Sequence, residues 1–313
     1  MSTRVAVIGS GVAGLACARH LAAAGLSPVV LDKGRAVGGR LATRVSRNGW
    51  QFDHGAQFVT AQGTAFGDFL VSLEAHGEAA RWADESPAAR WVGTPDMGAI
   101  ARSLAQGLDI RQQREVSSIQ PHGSQWRVVS NEAAEYFDRV VVTAPAPQLG
   151  RLLGEDHPLA VELARVHLAP CLTLMAAIDA RAPRPFSARA DASAALGWIA
   201  QDSSKPGRST ENGTAWVAHA TPEWSAEHLE LQPQEMVEHL LPELLDQIAA
   251  RPDQVLYAAG HRWRFAKVTA ALGEPFLRSP CGTLHAGGDW CIGPRVEAAW
   301  SSGRAIAADI LER

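Results

Sequence analysis

A glycine-rich turn between an apolar strand and a helix constrains this chain more than any other feature. Residues 5–8 are apolar and β-branched, as in a buried parallel strand, and residues 12–24 follow a helical pattern. Between them, Gly9, Gly11 and Gly14 form the spacing G-x-G-x-x-G. In a βαβ unit these glycines permit the tight turn, the close approach of a pyrophosphate, and close packing of helix on strand. The pattern predicts a dinucleotide site at the positive end of a helix dipole.

An acidic residue follows at the distance that such a site requires. A second strand predicted over residues 27–31 ends at Asp32. This acid lies about 20 residues past the glycines, where a carboxylate holds the hydroxyls of a ribose. A glycine cluster can occur at a helix start by chance, but here two strands, a helix and an acid are in register. The fingerprint does not separate NAD from FAD, because both contain an ADP half.

The next loop favours FAD. Gly38 and Gly39 form a second glycine pair, with Arg40 and Arg44 close behind, and residues 53–58 come next. A nicotinamide dehydrogenase has no use for this loop, whereas an extended FAD passes it on the way to the isoalloxazine ring. Since guanidinium groups suit phosphate, we expect both arginines to bind pyrophosphate oxygens. The alternative is that they are solvated loop residues.

A second glycine signal lies near the end of the sequence. A strand predicted over residues 283–286 leads into Gly287, Gly288 and Asp289. Residues 293–296 then open the last predicted helix, which runs to residue 310, and a proline near a helix start is well placed because its missing N–H would be unpaired there. The two glycine signals, in this order and in a chain of this length, indicate a flavoprotein.

These motifs together resemble the amine-oxidase-type FAD superfamily and, within it, the bacterial renalases. The resemblance extends from residue 5 to residue 303, nearly the whole chain. It is carried by the opening glycines with Asp32 and by residues 38–40, 52–58, 91–97, 261–264 and 287–303.

The fold expected from the pattern and the resemblance is α/β, with a Rossmann-type FAD-binding domain and an inserted mixed-sheet substrate domain. The FAD-binding domain is predicted to be discontinuous and the substrate domain to consist of two insertions. The predicted FAD-binding segments are 1–60, 105–150 and 270–313, and the predicted substrate segments are 61–104 and 151–269. Segment 61–104 reads as helices and irregular structure, residues 136–142 as one strand, and residues 261–264 as the return to the FAD-binding domain.

Within the substrate segments, residues 171–179, 196–201 and 214–221 have strand character, and residues 232–250 form an amphipathic helix. The period of two in a strand sends Trp216 and His219 to opposite faces. One of them is therefore a candidate for the substrate pocket, and Gln57 is a third candidate, although plain packing is the alternative for each. No catalytic residue is identified.

The resemblance also implies roles near the cofactor. Asp289 is expected to hydrogen-bond the ribityl chain or a hydroxyl on the phosphate side. Val116 is expected to contact the adenine side through its backbone, with plain core packing as the alternative. The helix that starts near Val296 is expected to point at the pyrimidine edge of the isoalloxazine, where its dipole would stabilise the reduced flavin. The full predicted FAD-binding set is Gly9, Ser10, Gly11, Val12, Ala13, Gly14, Asp32, Lys33, Gly39, Arg40, Arg44, His54, Gly55, Ala56, Gln57, Val116, Ala144, Gly288, Asp289, Arg295 and Val296.

The activity implied by the renalase resemblance is oxidation of NAD(P)H isomers reduced at ring position 2 or 6. Hydride passes to flavin N5, and O2 then takes the electrons and gives hydrogen peroxide. A dihydropyridine donor needs no general base, because its ring nitrogen lone pair expels the hydride. Two alternatives stay open: an amine oxidase or another FAD-dependent dehydrogenase, for which Lys267 is the only lysine late enough to lie near the flavin, and a non-enzymatic binding protein on the same fold.

Composition limits the remaining classes. A chain of 313 residues with 46% hydrophobic residues can bury a large core, and a net charge of −4 gives no basic footprint for nucleic acid. No apolar run is long enough to span a membrane, and no room for a signal peptide precedes the first strand. The four cysteines have no metal-ligand spacing, and neither Cys281 nor Cys291 has the usual context of flavin attachment. We therefore expect noncovalent FAD, no metal and a cytoplasmic location.

Overall fold

The computed structural model describes residues 3–83, 88–209 and 213–313, which form eighteen strands and nine α-helices. The strands are β1 Val5–Ile8, β2 Val29–Leu31, β3 Arg44–Val45, β4 Gln51–Phe52, β5 Ala79–Trp82, β6 Arg90–Gly93, β7 Asp109–Arg111, β8 Val116–His122, β9 Gln125–Ser130, β10 Ala134–Phe137, β11 Arg139–Val142, β12 His167–Ile178, β13 Ala188–Ala190, β14 Leu196–Gln201, β15 Thr214–Ala220, β16 Val255–Ala270, β17 Leu277–Arg278 and β18 Leu284–Ala286. The helices are α1 Val12–Ala23, α2 Thr64–Ala75, α3 Gly98–Ala105, α4 Leu149–Leu153, α5 Pro158–Glu162, α6 Pro222–Glu227, α7 Pro233–Ile248, α8 Asp289–Ile292 and α9 Val296–Leu311.

A six-stranded sheet in the order β17-β18-β11-β1-β2-β7 forms the centre of the nucleotide-binding half. Its pairs are parallel except for the edge pair β17–β18. Strand β1 is buried on both faces, as its apolar sequence requires. Val5 and Val7 belong to the core formed with α1 and α9, and Ala6 and Ile8 belong to the core shared with the three-stranded sheet β10-β9-β8. The Rossmann-type α/β fold predicted from the sequence is confirmed.

A five-stranded sheet in the order β13-β14-β15-β12-β16 forms the other half, and its described pairs are antiparallel. One face packs against α7 through a core that includes Leu174, Trp216 and Leu240. The opposite face packs Met175 and Val217 against Phe52 of β4. The alternation of side chains along β12 and β15 therefore sends one set to the helix and the other toward the nucleotide-binding half.

The structure corrects three local expectations. Residues 136–142 form two strands in different sheets, since the chain changes sheet at Asp138, whose carboxylate accepts a hydrogen bond from the Arg4 amide at 2.8 Å. Residues 261–264 do not return the chain to the nucleotide-binding half: they lie in the middle of β16, held by pairing with β12. Segment 61–104 contains the hairpin β5–β6 besides its two helices. The proposed domain boundaries themselves stay a prediction.

The described residues contain neither a membrane-spanning helix nor a cluster of metal ligands. No helix among them combines the length and apolar character needed to cross a membrane. In the same part of the chain, no group of three or more histidine, cysteine, aspartate or glutamate side chains is placed to hold a metal ion.

Candidate cofactor and substrate cavity

A cavity of 1510 Å³ lies between the carboxyl ends of the parallel strands and the five-stranded sheet. Ligands of open α/β sheets bind at that edge of the sheet. The cavity is larger than the roughly 300–1,000 Å³ of an ordinary small-ligand pocket, so it has room for an extended cofactor and a substrate together. Residues that follow four parallel strands line it, namely Gly9, Asp32, Thr143, Ala144 and Gly288.

The glycine-rich turn builds one end of the cavity from backbone. Gly9 has φ +108°, a conformation that side chains disfavour, and a Cβ on Gly14 would overlap the Gly9 carbonyl oxygen. Gly11 differs, because a Cβ there would meet no protein atom within 4 Å and Gly11 itself lines the cavity. As the N-cap of α1, Gly11 supplies no side chain to the first-turn N–H groups. Open space and free donors at a helix N-terminus fit a pyrophosphate.

Asp32 is held in place at the end of β2. Its carboxylate accepts hydrogen bonds from the amides of Ser10 and Gly34, both at 2.6 Å, and the residue lines the cavity. Each carboxylate oxygen has a further lone pair, so the group can also accept from ribose hydroxyls. This geometry fits the role predicted for Asp32.

Arg40 and Asp289, predicted as separate cofactor contacts, pair with each other. Two guanidinium nitrogens of Arg40 donate to the two carboxylate oxygens of Asp289 at 2.7 Å, and Nη1 also donates to the carbonyl of Ala266 at 3.0 Å. Both residues line the cavity. These contacts use three of the five guanidinium donors. The pair therefore joins two distant parts of the chain at the cavity wall, a contact that sequence spacing does not reveal.

A second helix N-terminus also faces the cavity. Pro294, Arg295 and Val296 line it where α9 begins. In the first turn of α9, the buried Glu297 accepts hydrogen bonds from the amides of Gln62 and Gly63 at 2.8 and 2.7 Å. The cavity thus receives the positive ends of two helix dipoles, which favour negative charge on a bound group.

Aromatic and imidazole rings form the opposite end. The ring of Trp263 stacks on His54 with centroids 5.2 Å apart, and His261 meets both rings edge-on. Trp263 donates from Nε1 to the carbonyl of His54 at 2.9 Å. Strand register places His219, Thr173 and His261 in one row across β15, β12 and β16. Of this group, His219 and Trp263 line the cavity.

The surroundings lower the pKa values of all three histidines. Burial lowers the pKa of His54 to about 4, helped by the nearby His261 and by the charge of Arg44. Burial likewise lowers the pKa of His219 to about 4, although a hydrogen bond with the backbone of His54 opposes the shift. The pKa of His261 is lowered by burial and by Arg44. A protonated imidazole is disfavoured throughout this end of the cavity.

A cluster of four buried charges supports the segment 53–57, which carries Gly55 and Ala56 to the cavity wall. Asp53 accepts from Lys205 Nζ at 3.3 Å and from Arg208 at 2.5 Å, and Lys205 also donates to Asp202 at 2.5 Å. Gln57 accepts from Lys205 at 3.2 Å. The two acids and two bases balance in charge, as burial requires.

Ion pairing and burial shift the pKa values of the two acids in this cluster in opposite directions. Burial alone would raise the pKa of Asp53, but the charges of Lys205 and Arg208 outweigh it and lower that pKa to about 2. Burial and the neighbouring Asp53 raise the pKa of Asp202. Sequence reasoning missed Asp202, Lys205 and Arg208 because they fall in a segment that reads as a loop. The available signal was a lysine, rare in this chain, three residues after an acid.

The structure brings most of the predicted site residues to one cavity. Trp216 is a correction to the pocket candidates: it is fully buried on the α7 face, so it points away from the cavity that His219 lines, because the two lie on opposite faces of β15. Arg44 is exposed and does not lie on the cavity wall, and Ser10, Gly14, His54 and Gln57 lie behind the wall. The predicted residues on the wall are Gly9, Gly11, Val12, Ala13, Asp32, Lys33, Gly39, Arg40, Gly55, Ala56, Val116, Ala144, Gly288, Asp289, Arg295, Val296 and His219.

Comparison with known proteins now identifies the family. A family model described as NAD(P)-binding Rossmann-like domain matches residues 7–73, and one described as flavin containing amine oxidoreductase matches residues 60–311. The chain belongs to the flavin containing amine oxidoreductase family. Renalase from Mus musculus is 26% identical to this family member over 90% of each chain. The chain is therefore similar to Renalase along nearly its whole length.

Solved structures agree on the fold. A protein from Exiguobacterium sp. 255-15 with a provisional protoporphyrinogen oxidase designation superposes with a TM-score of 0.82 at 13% identity. Wild-type putrescine oxidase bound to putrescine superposes with a TM-score of 0.77 at 16% identity. In both comparisons the whole of each chain is covered.

FAD is the cofactor of this family member, and the cavity fits it. The open space beside Gly11 and the free N–H groups of α1 would hold the pyrophosphate, and Asp32 would hold the ribose of the ADP half. The N-terminus of α9 would face a part of the cofactor that gains negative charge on reduction. The individual contacts of the other predicted residues remain proposals.

Proposed function

We propose that this protein oxidises 2- and 6-dihydro isomers of NAD(P)H to NAD(P)+ with O2 as the final electron acceptor. The similarity to Renalase along nearly the full length of both chains supports a renalase-like activity. The observation that carries the proposal is the sheet end of the cavity, where Trp263 and His219 form the wall, and burial lowers the pKa of His219 and of the adjoining His54.

The lowered pKa values of His54 and His219 bear on the removal of a proton from the substrate. An amine is protonated at neutral pH and must lose a proton before it can give up a hydride. A general base works best when its pKa lies near the operating pH, and a pKa of about 4 leaves His54 and His219 poor bases. A dihydropyridine needs no base, because its ring nitrogen supplies the electron pair. The imidazole end of the cavity therefore suits a dihydropyridine better than an amine.

The lysines do not supply a better base. Lys205 is fully buried, and its ammonium group is held by Asp53, Asp202 and Gln57. Lys267 is exposed at the cavity wall on β16, one residue beyond the Ala266 carbonyl that accepts from Arg40. Lys267 pairs with Ala169 of β12, and its charge acts on the thiol of Cys171 in the same strand.

Catalysis then requires mainly that the donor ring be held in place. Bound FAD would supply the hydride acceptor and the route by which two electrons reach O2. The substrate loses a hydride and becomes NAD(P)+, and O2 with that hydride and one proton from solvent gives H2O2. Trp263 and His219 provide flat and neutral surfaces at the substrate end, which do not repel the positive charge that forms on the nicotinamide ring.

The test is an anaerobic titration of the FAD-loaded protein. Borohydride-reduced NAD+, which contains the 2-, 4- and 6-dihydro isomers, is mixed with the protein and the loss of oxidised-flavin absorption is followed. Ordinary 4-dihydro NADH and putrescine are the controls. Rapid bleaching by the isomer mixture and by neither control is expected. The proposal would be contradicted if putrescine bleached the flavin, or if none of the dihydronicotinamides did. Either result would favour an amine oxidase or another dehydrogenase.

A further inference from the structure

The positive side chains on the cavity wall differ in whether a carboxylate already holds them. Six arginines of the wall form ion pairs with acidic residues, namely Arg40, Arg102, Arg114, Arg151, Arg262 and Arg264. Three other cations of the wall, Lys33, Lys267 and Arg295, have no carboxylate partner among the residues that the structure describes. Such a cation can bind an anionic ligand without breaking an ion pair.

Lys267 differs from the other two cations in its position. Lys33 follows β2 and Arg295 is the N-cap of α9, so both belong to the nucleotide-binding half and to the predicted FAD-binding set. Lys267 is exposed on β16, the edge strand of the five-stranded sheet. Two acids of this half also line the cavity, but Asp191 follows β13 and Glu223 follows β15, and β12 lies between those strands and β16. Lys267 is therefore the cation that the sheet end offers to an anion.

The strand register sets the distance between Lys267 and the ring of Trp263. Trp263 pairs with Cys171 and Lys267 pairs with Ala169, so a register shift fits four steps of β16 against two steps of β12. Two steps along a strand measure about 7 Å. The charge of Lys267 also acts on the thiol of Cys171, which lines the cavity. Lys267 thus lies a short distance along the sheet from the flat surface at the substrate end.

A dihydronicotinamide nucleotide has an anionic group at a matching place. Its ring carries a ribose, and the first phosphate follows that ribose. On the basis of the function proposed above, we propose that Lys267 Nζ donates to the phosphate next to the nicotinamide ribose of the substrate. An ammonium group suits a phosphate as a point charge with three donors. Lys267 is then the residue that selects nucleotides over the riboside that lacks the phosphate.

The test compares two oxidised ligands, each titrated into the FAD-loaded protein and followed by the change in flavin absorption. Nicotinamide mononucleotide and nicotinamide riboside have the same ring and ribose and differ only in the phosphate. The wild type is expected to bind the mononucleotide at least about tenfold more tightly, the value of one charge-assisted hydrogen bond. Lys267→Met should bind both ligands equally, with the affinity for the riboside unchanged.

Two further variants separate this contact from a general effect of charge. Lys267→Arg should keep the preference for the mononucleotide, because a guanidinium group also binds phosphate. Arg165→Met removes one positive charge from an exposed position that does not line the cavity, so it should keep the full preference. In the wild type the preference should fall as the salt concentration rises.

Three results would overturn the inference. These are a wild type that binds the mononucleotide and the riboside equally, a Lys267→Met variant that keeps the tenfold preference, or a Lys267→Met variant that loses FAD on gel filtration. The last result would place the lysine in the cofactor site. Failure of the proposed function is seen separately, because the wild-type flavin would then not be bleached by the dihydro isomers of NAD, the riboside or the mononucleotide.

Discussion

The two ends of the cavity are built from different material. At the α1 end, the wall is backbone: a glycine turn, free helix N–H groups, and an acid held by two amides. At the sheet end, the wall is made of side chains such as Trp263 and His219, and a cluster of four buried charges supports the adjoining segment 53–57. Binding at a backbone wall is weakened by any side chain that fills its space, whereas binding at a side-chain wall depends on the chemistry of each residue.

Filling the space at the backbone end has the largest expected effect. Gly11→Trp should abolish FAD retention, a loss of at least about a hundredfold in affinity, because its side chain would occupy the open space beside α1. The apo protein should still fold, since Gly11 has φ −71° and a Cβ there meets no protein atom. The ratio of flavin to protein absorption after gel filtration measures retention.

Gly14→Ala is the matched contrast in the same motif. Its Cβ would overlap the Gly9 carbonyl oxygen, so the apo protein itself should lose about 1–3 kcal/mol in its free energy of unfolding. A yellow, FAD-saturated Gly11→Trp protein would contradict the assignment of the cofactor site.

Removing one buried charge behind the sheet end should lower the stability of the protein rather than its affinity for FAD. Lys205→Met leaves Asp53 and Asp202 buried with only Arg208, and the expected loss in free energy of unfolding is about 3–5 kcal/mol in urea denaturation. Lys267→Met is the control: this lysine is exposed, so the change should stay within about 0.5 kcal/mol.

A second variant tests whether charge balance is the reason. Adding Asp202→Asn to Lys205→Met leaves one acid facing one base, so part of the lost stability should return. If the double variant is less stable than Lys205→Met alone, the buried charges do not act as a balanced set.

The neutral histidines predict a pH dependence of stability. In the folded protein the pKa values of His54 and His219 are about 4, below the usual 6.5. Between these values the unfolded chain binds more protons, so the free energy of unfolding falls as the pH falls. From pH 6.5 to pH 5 the loss should be about 1.6 kcal/mol per histidine. Urea denaturation at a series of pH values measures it.

His54→Gln should reduce the pH dependence of the free energy of unfolding by the contribution of one histidine, because glutamine does not titrate. His122→Gln, at an exposed position of β8, is the control and should leave the wild-type profile unchanged. A His54→Gln profile as steep as that of the wild type would show that the pKa of His54 is the same in the folded and unfolded protein.

The smallest effect is expected at the second helix N-terminus. Glu297→Gln replaces a carboxylate in the first turn of α9 that accepts hydrogen bonds from the amides of Gln62 and Gly63. About 1 kcal/mol of stability should be lost. Glu312→Gln, at the other end of α9, should be neutral or slightly stabilising, since a negative charge is unfavourable there. Thermal unfolding of both variants gives the comparison, and equal effects would argue against a role of the helix dipole.

The sequence predicted the backbone end of the cavity well, and for a physical reason. A dinucleotide site of this type needs glycines at fixed spacing, a helix start and an acid at the end of the next strand, and all of these lie within residues 5–32. Local spacing therefore carries the information. The same holds for Gly288, Asp289 and the start of α9, which lie close together in the chain.

The sheet end could not be predicted in the same way. The stacking of His54 on Trp263 joins residues more than 200 positions apart, as do the hydrogen bonds between Arg40 and Asp289. Strand alternation separated Trp216 from His219 correctly, but only the position of α7 decided which of the two faces the cavity.

What the sequence determined by itself was the Rossmann-type half, FAD as the cofactor and the family, because these depend on local backbone requirements that glycine, proline and acid positions record directly. The tertiary structure alone decided which side chains meet: the rings of His54, His261 and Trp263, and the buried group of Asp53, Asp202, Lys205 and Arg208. Burial sets their pKa values and pairing sets their charges, and both are properties of the packed chain, not of sequence spacing.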